Sequence, residues 1–191
     1  MHGGKSMTIA VDNPSNSMRS QDKFIIVMIT VFTSVAFSLE LYWLIFNQVM
    51  ESRTDLLARI LALYWPADYT WRISGTPPQK ALSISLETVN VFITPWLSLG
   101  LVWSIIKKRT YRFPLQLLIG TYTAYGTIIY YSVAHVSGYP LLEYKGVYPL
   151  LLFYLANFPW LVAYAWLTWD AFSELLKRLD SKPPSQRGDP G

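Results

Sequence analysis

Two glutamates lie inside long apolar stretches of the sequence, where charged side chains are rare. Glu40 lies in the stretch 23–47 and Glu87 in the stretch 81–106. A carboxyl group in the hydrocarbon region of a membrane is costly, and it is tolerated mainly where it faces a helix-bundle interior or a cavity. The two glutamates are therefore the first candidates for a functional site.

This pair permits acid–base chemistry. Burial in a low-dielectric site favours the neutral form of a carboxyl group, and two neighbouring carboxyl groups titrate jointly. The neutral acid can protonate a substrate, while its ionised neighbour removes a proton or stabilises a cation. The chain also has 8 Trp and 13 Tyr residues, whose rings attract positive charge. These groups suit protonation of an alkene or epoxide and loss of a proton elsewhere, which shifts a double bond or closes a ring.

A structural interpretation of the same residues competes with this one. A glutamate in a spanning helix can hydrogen-bond to Asn or Tyr across the bundle and hold helices together. Asn90 and Asn157 can do the same, and the aromatic residues can serve packing alone. His135 near a helix end can be a plain interfacial histidine or a catalytic one.

The composition excludes several other kinds of site. Hydrophobic residues make up 52% of the 191 residues and charged residues 15%, which is too apolar for an ordinary soluble domain. The chain has no cysteine, so disulfides, thiolate catalysis and zinc–thiolate sites are excluded. Its two histidines, His2 and His135, are too few for a multi-histidine metal site. The net charge of +4 comes from basic residues beside apolar segments and does not indicate a nucleic-acid partner.

Four segments have the roughly 20 mainly apolar residues that a membrane-spanning helix needs. They are residues 24–47, 81–106, 113–135 and 148–172. The sequence therefore predicts an all-α membrane protein with four transmembrane helices.

An amphipathic helix is predicted between the first two spans, because apolar side chains there recur at helical spacing. Its apolar face is formed by Leu56, Leu57, Ile60, Leu61 and Tyr64. Its other side carries Arg53, Asp55 and Arg59. The segment is too charged to span, so we expect it to lie at the lumenal interface.

Basic residues orient the chain. The loop 107–112 contains four basic residues and no acid, and more basic residues follow the fourth span. The positive-inside rule places both regions in the cytosol, so both termini are predicted to be cytosolic. Residues 1–22 are expected to form a flexible leader, residues 23–178 the membrane domain, and residues 179–191 a disordered tail.

The two glutamates are predicted to lie at the same depth. Glu40 comes about two turns before the lumenal end of the first span, and Glu87 about two turns after the lumenal start of the second. At 1.5 Å per residue, each carboxyl group lies roughly 10 Å inside the same membrane face.

Polar residues recur at helical spacing in every span, so they share one face of each helix. In chain order these faces contain Thr33, Glu40 and Asn47; Ser83, Glu87, Asn90 and Thr94; Thr123, Thr127, Tyr131 and His135; and Asn157, Trp160 and Tyr164. Four such faces predict a pocket with aromatic walls and a few convergent polar groups.

Several short motifs resemble those of a known family. They are Glu87-Thr88, Arg112-Phe113, Leu115-Gln116-Leu117, Tyr125-Gly126, Tyr130 and His135 in one ungapped segment, with Tyr64, Asp68 and Trp71 before it and Asn157 and Trp160-Leu161-Val162 after it. Over residues 24–178 the chain is similar to the emopamil-binding-protein family of sterol delta-8,delta-7 isomerases. That family lies in the EXPERA superfamily, which also holds the sigma-2 receptor and related four-helix proteins.

The resemblance implies roles for individual residues. Glu87 matches the family's catalytic carboxylate on its second helix, and Glu40 matches the glutamate of its first-helix His-x-x-x-Glu pair. Asn157 and Trp160 match its ligand pocket, with Trp160 facing the cation. Tyr64 and Asp68 resemble part of its lumenal stretch.

Three positions depart from the family pattern. Ala36 stands four residues before Glu40, where the family has histidine; Asn90 replaces a threonine, and Thr127 replaces an acidic residue. The loss of the histidine removes one member of the expected proton relay, although both glutamates remain. This combination favours a specialised substrate, such as a terpenoid intermediate, over the ordinary sterol.

We therefore expect an endoplasmic-reticulum membrane enzyme that isomerises or cyclises a sterol-like or terpenoid substrate without a cofactor or metal. Glu87 and Glu40 would be the catalytic pair. Asn90 and Asn157 would orient the pair or the substrate. The other expected substrate-binding residues are Trp160, Tyr131, Trp43, Thr127, His135, Tyr64 and Asp68.

Two other functions stay open on the sequence. One is the ordinary sterol isomerase, with the role of the histidine taken by Asn90 or His135. The other is a non-enzymatic sterol- or lipid-binding protein, which the missing histidine favours and the retained glutamates disfavour. The expected partners are a hydrophobic small molecule, membrane lipids and a second copy of the chain, with no nucleic acid.

Overall fold

The computed structural model describes residues 18–72, 77–139, 142 and 146–180, which are helical apart from short connections. This part of the chain contains seven α-helices: α1 Ser20–Val35, α2 Leu41–Phe46, α3 Leu56–Ala62, α4 Pro77–Phe92, α5 Thr94–Ile106, α6 Arg112–Val136 and α7 Val147–Asp180. A π-helical turn, Ala36–Glu40, joins α1 to α2, and 3₁₀ turns occupy Met50–Ser52 and Tyr69–Trp71. No strand occurs in these ranges, which confirms the prediction of an all-α protein.

The first predicted span is one continuous helix with a wide turn in it. The backbone N–H of Leu41 bonds to the carbonyl of Ala36, five residues earlier, whereas an α-helix bonds to the fourth residue before. Such π-helical turns are rare and often occur at functional sites. Here the wide turn ends on Glu40.

The second predicted span is broken near its middle. Residues 81–106 form α4 and α5, which are separated at Ile93 (φ −114°, ψ −54°). Proline at position 95 has no N–H, so the carbonyl four residues earlier loses its helical partner and the helix bends there. The bend comes between one and two turns after Glu87.

The last two long helices form a tight hairpin. The Cβ that an alanine would add at Gly120 on α6 would lie 2.5 Å from Thr168 Oγ1 and 2.9 Å from the Tyr164 carbonyl oxygen on α7. Only glycine allows this close approach without displacement of a helix. Helix α7 ends at Asp180, two turns beyond the predicted end of the fourth span.

Three helical stretches are long and apolar enough to cross a membrane: Ser20–Phe46, Lys80–Ile106 and Val147–Asp180. They coincide with the first, second and fourth predicted spans. Helix α6 has 25 residues, but Gly, Thr and Tyr residues lower its hydropathy and it is not among the three. The fourth crossing therefore stays a prediction.

The half of the bundle near the basic loop is closed by a buried apolar cluster. Its members are Ile25, Met28, Ile29, Leu101, Ile105, Ile119, Tyr164 and Leu167. We call this region the closed half. Its outer end is fastened by Asp22, which accepts hydrogen bonds from Arg112 Nη1 and Nη2 (2.8 and 2.9 Å) and from Arg19 Nη2 (2.8 Å). These bonds tie the starts of α1 and α6 together.

The predicted amphipathic segment does contain a helix, α3. Asp55 caps it by accepting from the Ala58 backbone N–H at 3.3 Å, and Ala58 and Leu61 are buried. Leu56, predicted on the buried face, is 71% exposed; as the first residue of a helix under two turns long, it lies at the edge of the contact. The predicted leader and tail fall mostly outside the described residues, whose helices begin at Ser20 and end at Asp180.

Candidate active site

A cavity of about 530 Å³ lies in the other half of the bundle, between the π-helical turn, α3, α4, α6 and α7. We call this region the cavity half. The residues with polar groups that line the cavity are Glu40, Tyr64, Ser83, Glu87, Asn90, Tyr122, Thr123, Tyr125, Thr127, Tyr130 and Asn157. The rest of the wall is apolar or indole, so the cavity suits a hydrophobic molecule with few polar groups.

Both glutamates face this cavity, as their predicted depths require. Glu40 is 6% exposed, and its carboxyl group lies near enough to that of Glu87 for the two to interact directly. The Oε2 atom of Glu40 is buried without a hydrogen-bond partner in the described part of the chain. No Lys, Arg or His occurs among the described residues that line the cavity. The pair thus has no cationic partner in the wall.

The two carboxyl groups differ in their neighbours. Asn90 lies one turn after Glu87 on α4 and donates from Nδ2 to Glu87 Oε2 at 3.2 Å. A donor of this kind stabilises the ionised form of the carboxyl group that it contacts. Within the described ranges no three His, Asp or Glu side chains come together as metal ligands would.

A chain of hydrogen bonds runs along one side of the cavity. Asn157 Nδ2 donates to the Tyr64 hydroxyl at 3.0 Å and to the Phe153 carbonyl at 2.8 Å. The Tyr64 hydroxyl lies 3.2 Å from that of Tyr130, which donates to Asp68 Oδ2. These contacts join α7, α6 and the segment after α3, so they fix the orientation of Asn157.

Asp68 anchors this hydrogen-bond chain from behind the cavity wall. It is 1% exposed and does not line the cavity. Its Oδ1 accepts from the Thr70 N–H at 2.7 Å and from the Thr70 hydroxyl at 2.6 Å. Burial raises the pKa of Asp68 above its ordinary value, although the hydrogen bonds from Thr70 and Tyr130 lower it. Asp68, predicted to contact substrate, thus lies behind the cavity wall, where its side chain holds Thr70 and Tyr130.

Two indole rings form part of the cavity wall, those of Trp71 and Trp160. Phe32 stacks on Trp160 with ring centroids 4.1 Å apart. Tyr64 meets Trp71 edge to face at 5.6 Å. Neighbouring rings therefore hold both indoles in place, where they can stabilise a cation in the cavity.

A family comparison bears on this arrangement of carboxyl groups, amides and indoles. The family model for EBP, described as EXPERA, the expanded EBP superfamily, matches residues 56–171, which is more than half of the chain. The chain belongs to the EXPERA family. The match includes Glu87, Asn157 and Trp160 but begins after Glu40. The assignment of Glu40 to the candidate site of this EXPERA protein therefore depends on its position at the cavity.

Trp43 does not line the cavity of this EXPERA protein, contrary to prediction. It is fully buried, and its Nε1 donates to the Trp71 carbonyl at 3.2 Å. The two indoles lie 4.7 Å apart. Trp71 takes the cavity position, and Trp43 supports it.

Tyr131 and His135, which were predicted to contact substrate, are also not among the residues that line the cavity. Tyr131 donates to the Tyr154 carbonyl at 3.0 Å. His135 is exposed, with Nδ1 3.2 Å from the Tyr139 hydroxyl. Both residues follow Tyr130, the last residue of α6 that lines the cavity. The polar face of α6 therefore continues beyond the end of the cavity.

Six lining residues with a polar group or an indole ring were absent from the predicted site: Trp71, Ser83, Tyr122, Thr123, Tyr125 and Tyr130. Ser83 and Thr123 belong to the polar helix faces, so spacing could have identified them. Thr123 has a buried hydroxyl with no partner in the described ranges, which marks it as a group available to a ligand. Nothing in the sequence distinguishes Tyr122 from the many other tyrosines.

The π-helical turn changes which residue shares the cavity-facing side of the helix with Glu40. In an α-helix the residue four positions before Glu40 would share its face, but the wide turn shifts that position by one residue. Val35 lines the cavity, whereas Ala36 is buried in the turn and does not. The cavity position that pairs with Glu40 along the helix is therefore apolar in this EXPERA protein.

Proposed function

We propose that this EXPERA protein is a membrane-embedded isomerase or cyclase that protonates and deprotonates a sterol-like or terpenoid substrate. The observation that carries the proposal is the carboxyl pair in an aromatic-walled cavity, with Glu40 Oε2 buried and unbonded. A buried polar atom without a partner is rare in folded proteins and needs an explanation. A role in proton transfer to a bound molecule supplies one.

The surroundings of the two glutamates assign their roles. Asn90 donates to Glu87, so Glu87 is the ionised base. Glu40 has no such donor at Oε2, so Glu40 is the protonated acid. This assignment gives two neighbouring carboxyl groups opposite protonation states, as acid–base catalysis requires.

The reaction then needs no other reagent. Glu40 gives its proton to an alkene carbon, whose π electrons form the new C–H bond and leave a carbocation on the adjacent carbon. Glu87 removes a proton from a carbon beside the cation, and the C–H electrons become the shifted double bond. Proton transfer from Glu87 to Glu40 restores the starting state. If a second alkene captures the cation before deprotonation, the product is a ring.

The wall of the cavity limits the class of substrate. A volume of about 530 Å³ lies within the range of small-molecule sites and accommodates a polycyclic or folded isoprenoid. The indoles of Trp71 and Trp160 stabilise the cation, while Asn157 and Thr127 offer polar contacts. The apolar surroundings of Glu40, where Val35 stands one wide turn before it, support a specialised terpenoid substrate over the ordinary sterol.

The protein acts in the endoplasmic-reticulum membrane, with both termini in the cytosol. The support is the basic sequence between α5 and α6 and at the end of α7, together with the positive-inside rule. A hydrophobic substrate would reach the cavity from the bilayer, where such molecules accumulate.

The test compares lipid extracts of a host that lacks competing enzymes. The host expresses the wild type, Glu87→Gln, or the control Glu51→Gln, whose glutamate pairs with Arg72 outside the cavity. Mass spectrometry follows supplied sterol and terpenoid candidates. We expect a new isomer of unchanged mass with the wild type and the control, and at least about 100-fold less with Glu87→Gln.

Two outcomes would contradict the proposal. Full turnover by folded Glu87→Gln would remove the glutamate from the chemistry. No product from any candidate, together with tight sterol retention by the purified protein, would favour a non-enzymatic binding protein. The observation that supports this alternative is the apolar residue Val35 at the cavity position before Glu40. Growth of a yeast strain that lacks its own sterol isomerase, restored by this chain, would favour the ordinary sterol reaction.

A further inference from the structure

A second concave site lies at the outer end of the closed half. It has a volume of about 270 Å³ and lies between the start of α1, the α5–α6 turn and the last turns of α7. Its charged lining residues are Arg19, Asp22, Lys108, Arg109, Arg112, Glu174 and Arg178. Five cationic and two anionic side chains give these described residues a net charge of +3. None of them lines the cavity that holds Glu40 and Glu87.

The floor of this basic pocket is built from fixed ion pairs. Arg112 and Asp22 form a buried pair with two hydrogen bonds, at 2.8 and 2.9 Å. Arg19 reaches Asp22, Asp170 (3.4 Å) and Glu174 (3.2 Å). These contacts tie α1, α6 and α7 together, so the floor is ordered without a ligand.

One aromatic ring organises three of the guanidinium groups. The ring centroid of Phe113 lies 4.3 Å from Arg112, 4.5 Å from Arg178 and 5.7 Å from Arg19, measured to each Cζ. Phe113 is 2% exposed, so its own position is fixed. Stacking on the ring fixes the planes of the guanidinium groups, and the edges of Arg112 and Arg19 are directed at the carboxylates of the floor.

The turn after α5 directs further cations into the pocket. Lys108 has φ +50°, a conformation that lysine seldom adopts. The N–H of Arg109 bonds to the Ser104 carbonyl at 2.8 Å, which caps the helix. Lys107 instead lies over the Trp103 ring at 4.9 Å and does not line the pocket. Of these three adjacent basic residues, Lys108 and Arg109 therefore line the pocket, and Lys107 faces away from it.

We infer that this basic pocket binds an anionic membrane lipid whose headgroup carries a phosphate monoester. Arginine forks match phosphate oxygens in charge and geometry. The pocket lies at the end of the spanning helices where headgroups lie, and Met18 and Ile105 form an apolar part of its lining. Basic pockets between spanning helices on the cytosolic side bind such headgroups. Ordinary flanking charge would attract the membrane too, but it would not favour a phosphate monoester over other anions.

The test uses the full-length protein in a non-ionic detergent at about 0.15 M salt, where diffuse attraction is screened beyond about 8 Å. The probes are dioctanoyl phosphatidylinositol 4-phosphate, dioctanoyl phosphatidylglycerol and inorganic phosphate. Binding is measured by ligand-dependent thermal stabilisation. We expect the phosphoinositide to bind at least about tenfold more tightly than phosphatidylglycerol, since its monoester accepts more charge-assisted hydrogen bonds.

Two double variants give a matched comparison, because each removes two positive charges from the same surface. Arg109→Gln with Arg178→Gln changes the pocket, and Lys107→Gln with Lys177→Gln changes residues beside it. All four side chains lie on exposed residues, so both proteins should fold. We expect the pocket variant to lose at least about tenfold in phosphoinositide affinity, as the loss of charged hydrogen bonds predicts, and the control less than twofold.

Three results would overturn the inference. Equal weakening of both variants would mean diffuse charge attraction. Equal affinity for phosphatidylglycerol would mean that the phosphate monoester is not recognised. Equal stabilisation by inorganic phosphate would mean a soluble ligand instead of a lipid. The catalytic proposal is unaffected by any of them, because the two sites share no residue.

Discussion

Two buried carboxyl groups on the first helix have opposite surroundings. Asp22 is 5% exposed and Glu40 is 6% exposed. Asp22 accepts hydrogen bonds from Arg19 and Arg112, whereas Glu40 faces a second carboxyl group and has one oxygen without a partner. Equal burial therefore says little about a carboxyl group until its partners are known.

The same contrast extends to the two halves of the bundle. In the closed half, apolar side chains fill the interior, and Asp22, Asp170 and Glu174 each pair with Arg19. In the cavity half, an open volume is bordered by acids, amides and hydroxyls with no basic side chain among the described lining residues. The carboxyl groups of the closed half are therefore held in ion pairs, whereas those of the cavity half border an open volume.

The largest expected effect comes from neutralising each carboxyl group in turn. Asp22→Asn should lower the free energy of unfolding by about 3–5 kcal/mol, because it leaves the buried guanidinium group of Arg112 without its counter-charge. Glu40→Gln should keep stability, because a neutral amide of the same shape replaces the protonated carboxyl group beside Glu87, and should abolish turnover. Thermal unfolding in one detergent, together with a product assay, measures both changes.

Each variant has its own control. Asp22→Asn combined with Arg112→Met removes both charges of the pair and should recover part of the lost stability. A loss of stability in Glu40→Gln as large as that in Asp22→Asn would mean that Glu40 is a structural link between helices, and the contrast between the halves would fail.

A second pair of variants tests the packing of each half. Leu101 is fully buried in the closed half, so Leu101→Ala should cost about 2–5 kcal/mol through lost contacts and a new void. Leu86 borders the existing cavity, so Leu86→Ala only enlarges that space and should cost less than about 1 kcal/mol. Unfolding midpoints of the two variants compare them directly, and similar losses would mean that the cavity is filled by packed side chains.

A third pair uses two glycines of α6. An added Cβ at Gly120 meets Thr168 N at 2.8 Å, but at Gly126 it meets only Leu86 Cδ2 at 3.6 Å. Gly120→Ala should therefore cost about 1–3 kcal/mol through forced separation of α6 and α7. Gly126→Ala should be neutral or slightly stabilising, since alanine favours the helix. Melting temperatures that rank the other way would contradict the tight packing of the closed half.

The smallest expected effect is a pH dependence at the cap of α3. A hydrogen bond from Tyr42 lowers the pKa of Asp55 to about 2, from the ordinary 3.8. The ionised carboxyl group therefore stabilises the fold above about pH 4, and this contribution disappears as the pH falls towards about 2. The wild type should melt above Asp55→Asn at neutral pH, and the difference should shrink through that acidic window. A difference that is constant with pH would exclude the charge as its cause.

The sequence predicted much of the architecture because membrane spans leave a strong signal. Long apolar segments identified the three helices that meet the criteria of length and hydropathy, and a carboxyl group in such a segment is rare enough to identify Glu40 and Glu87. Helical spacing from Glu87 also placed Asn90 at the site. These inferences depend only on local periodicity and on the cost of burying charge.

The remaining errors come from backbone geometry and from side-chain packing across elements. Spacing on α6 put Tyr131 and His135 on the same face as Thr127, but spacing alone does not say where along the helix the cavity ends. Trp43 was assigned to the wall because an indole near Glu40 suits a cation, although Trp71 covers it. No residue type marks a π-helical turn, so the shift from Ala36 to Val35 was not predictable.

The direction in which the Glu40 side chain points depends on the number of residues in the π-helical turn before it. A π-helical turn can be regarded as an α-helix with one inserted residue. Deleting a single residue between Val35 and Glu40 would restore the regular helix and carry the carboxyl group about 100° around the axis, away from Glu87. An insertion or deletion here would thus move the Glu40 carboxyl group into or out of the cavity with no substitution at Glu40, within an otherwise unchanged bundle.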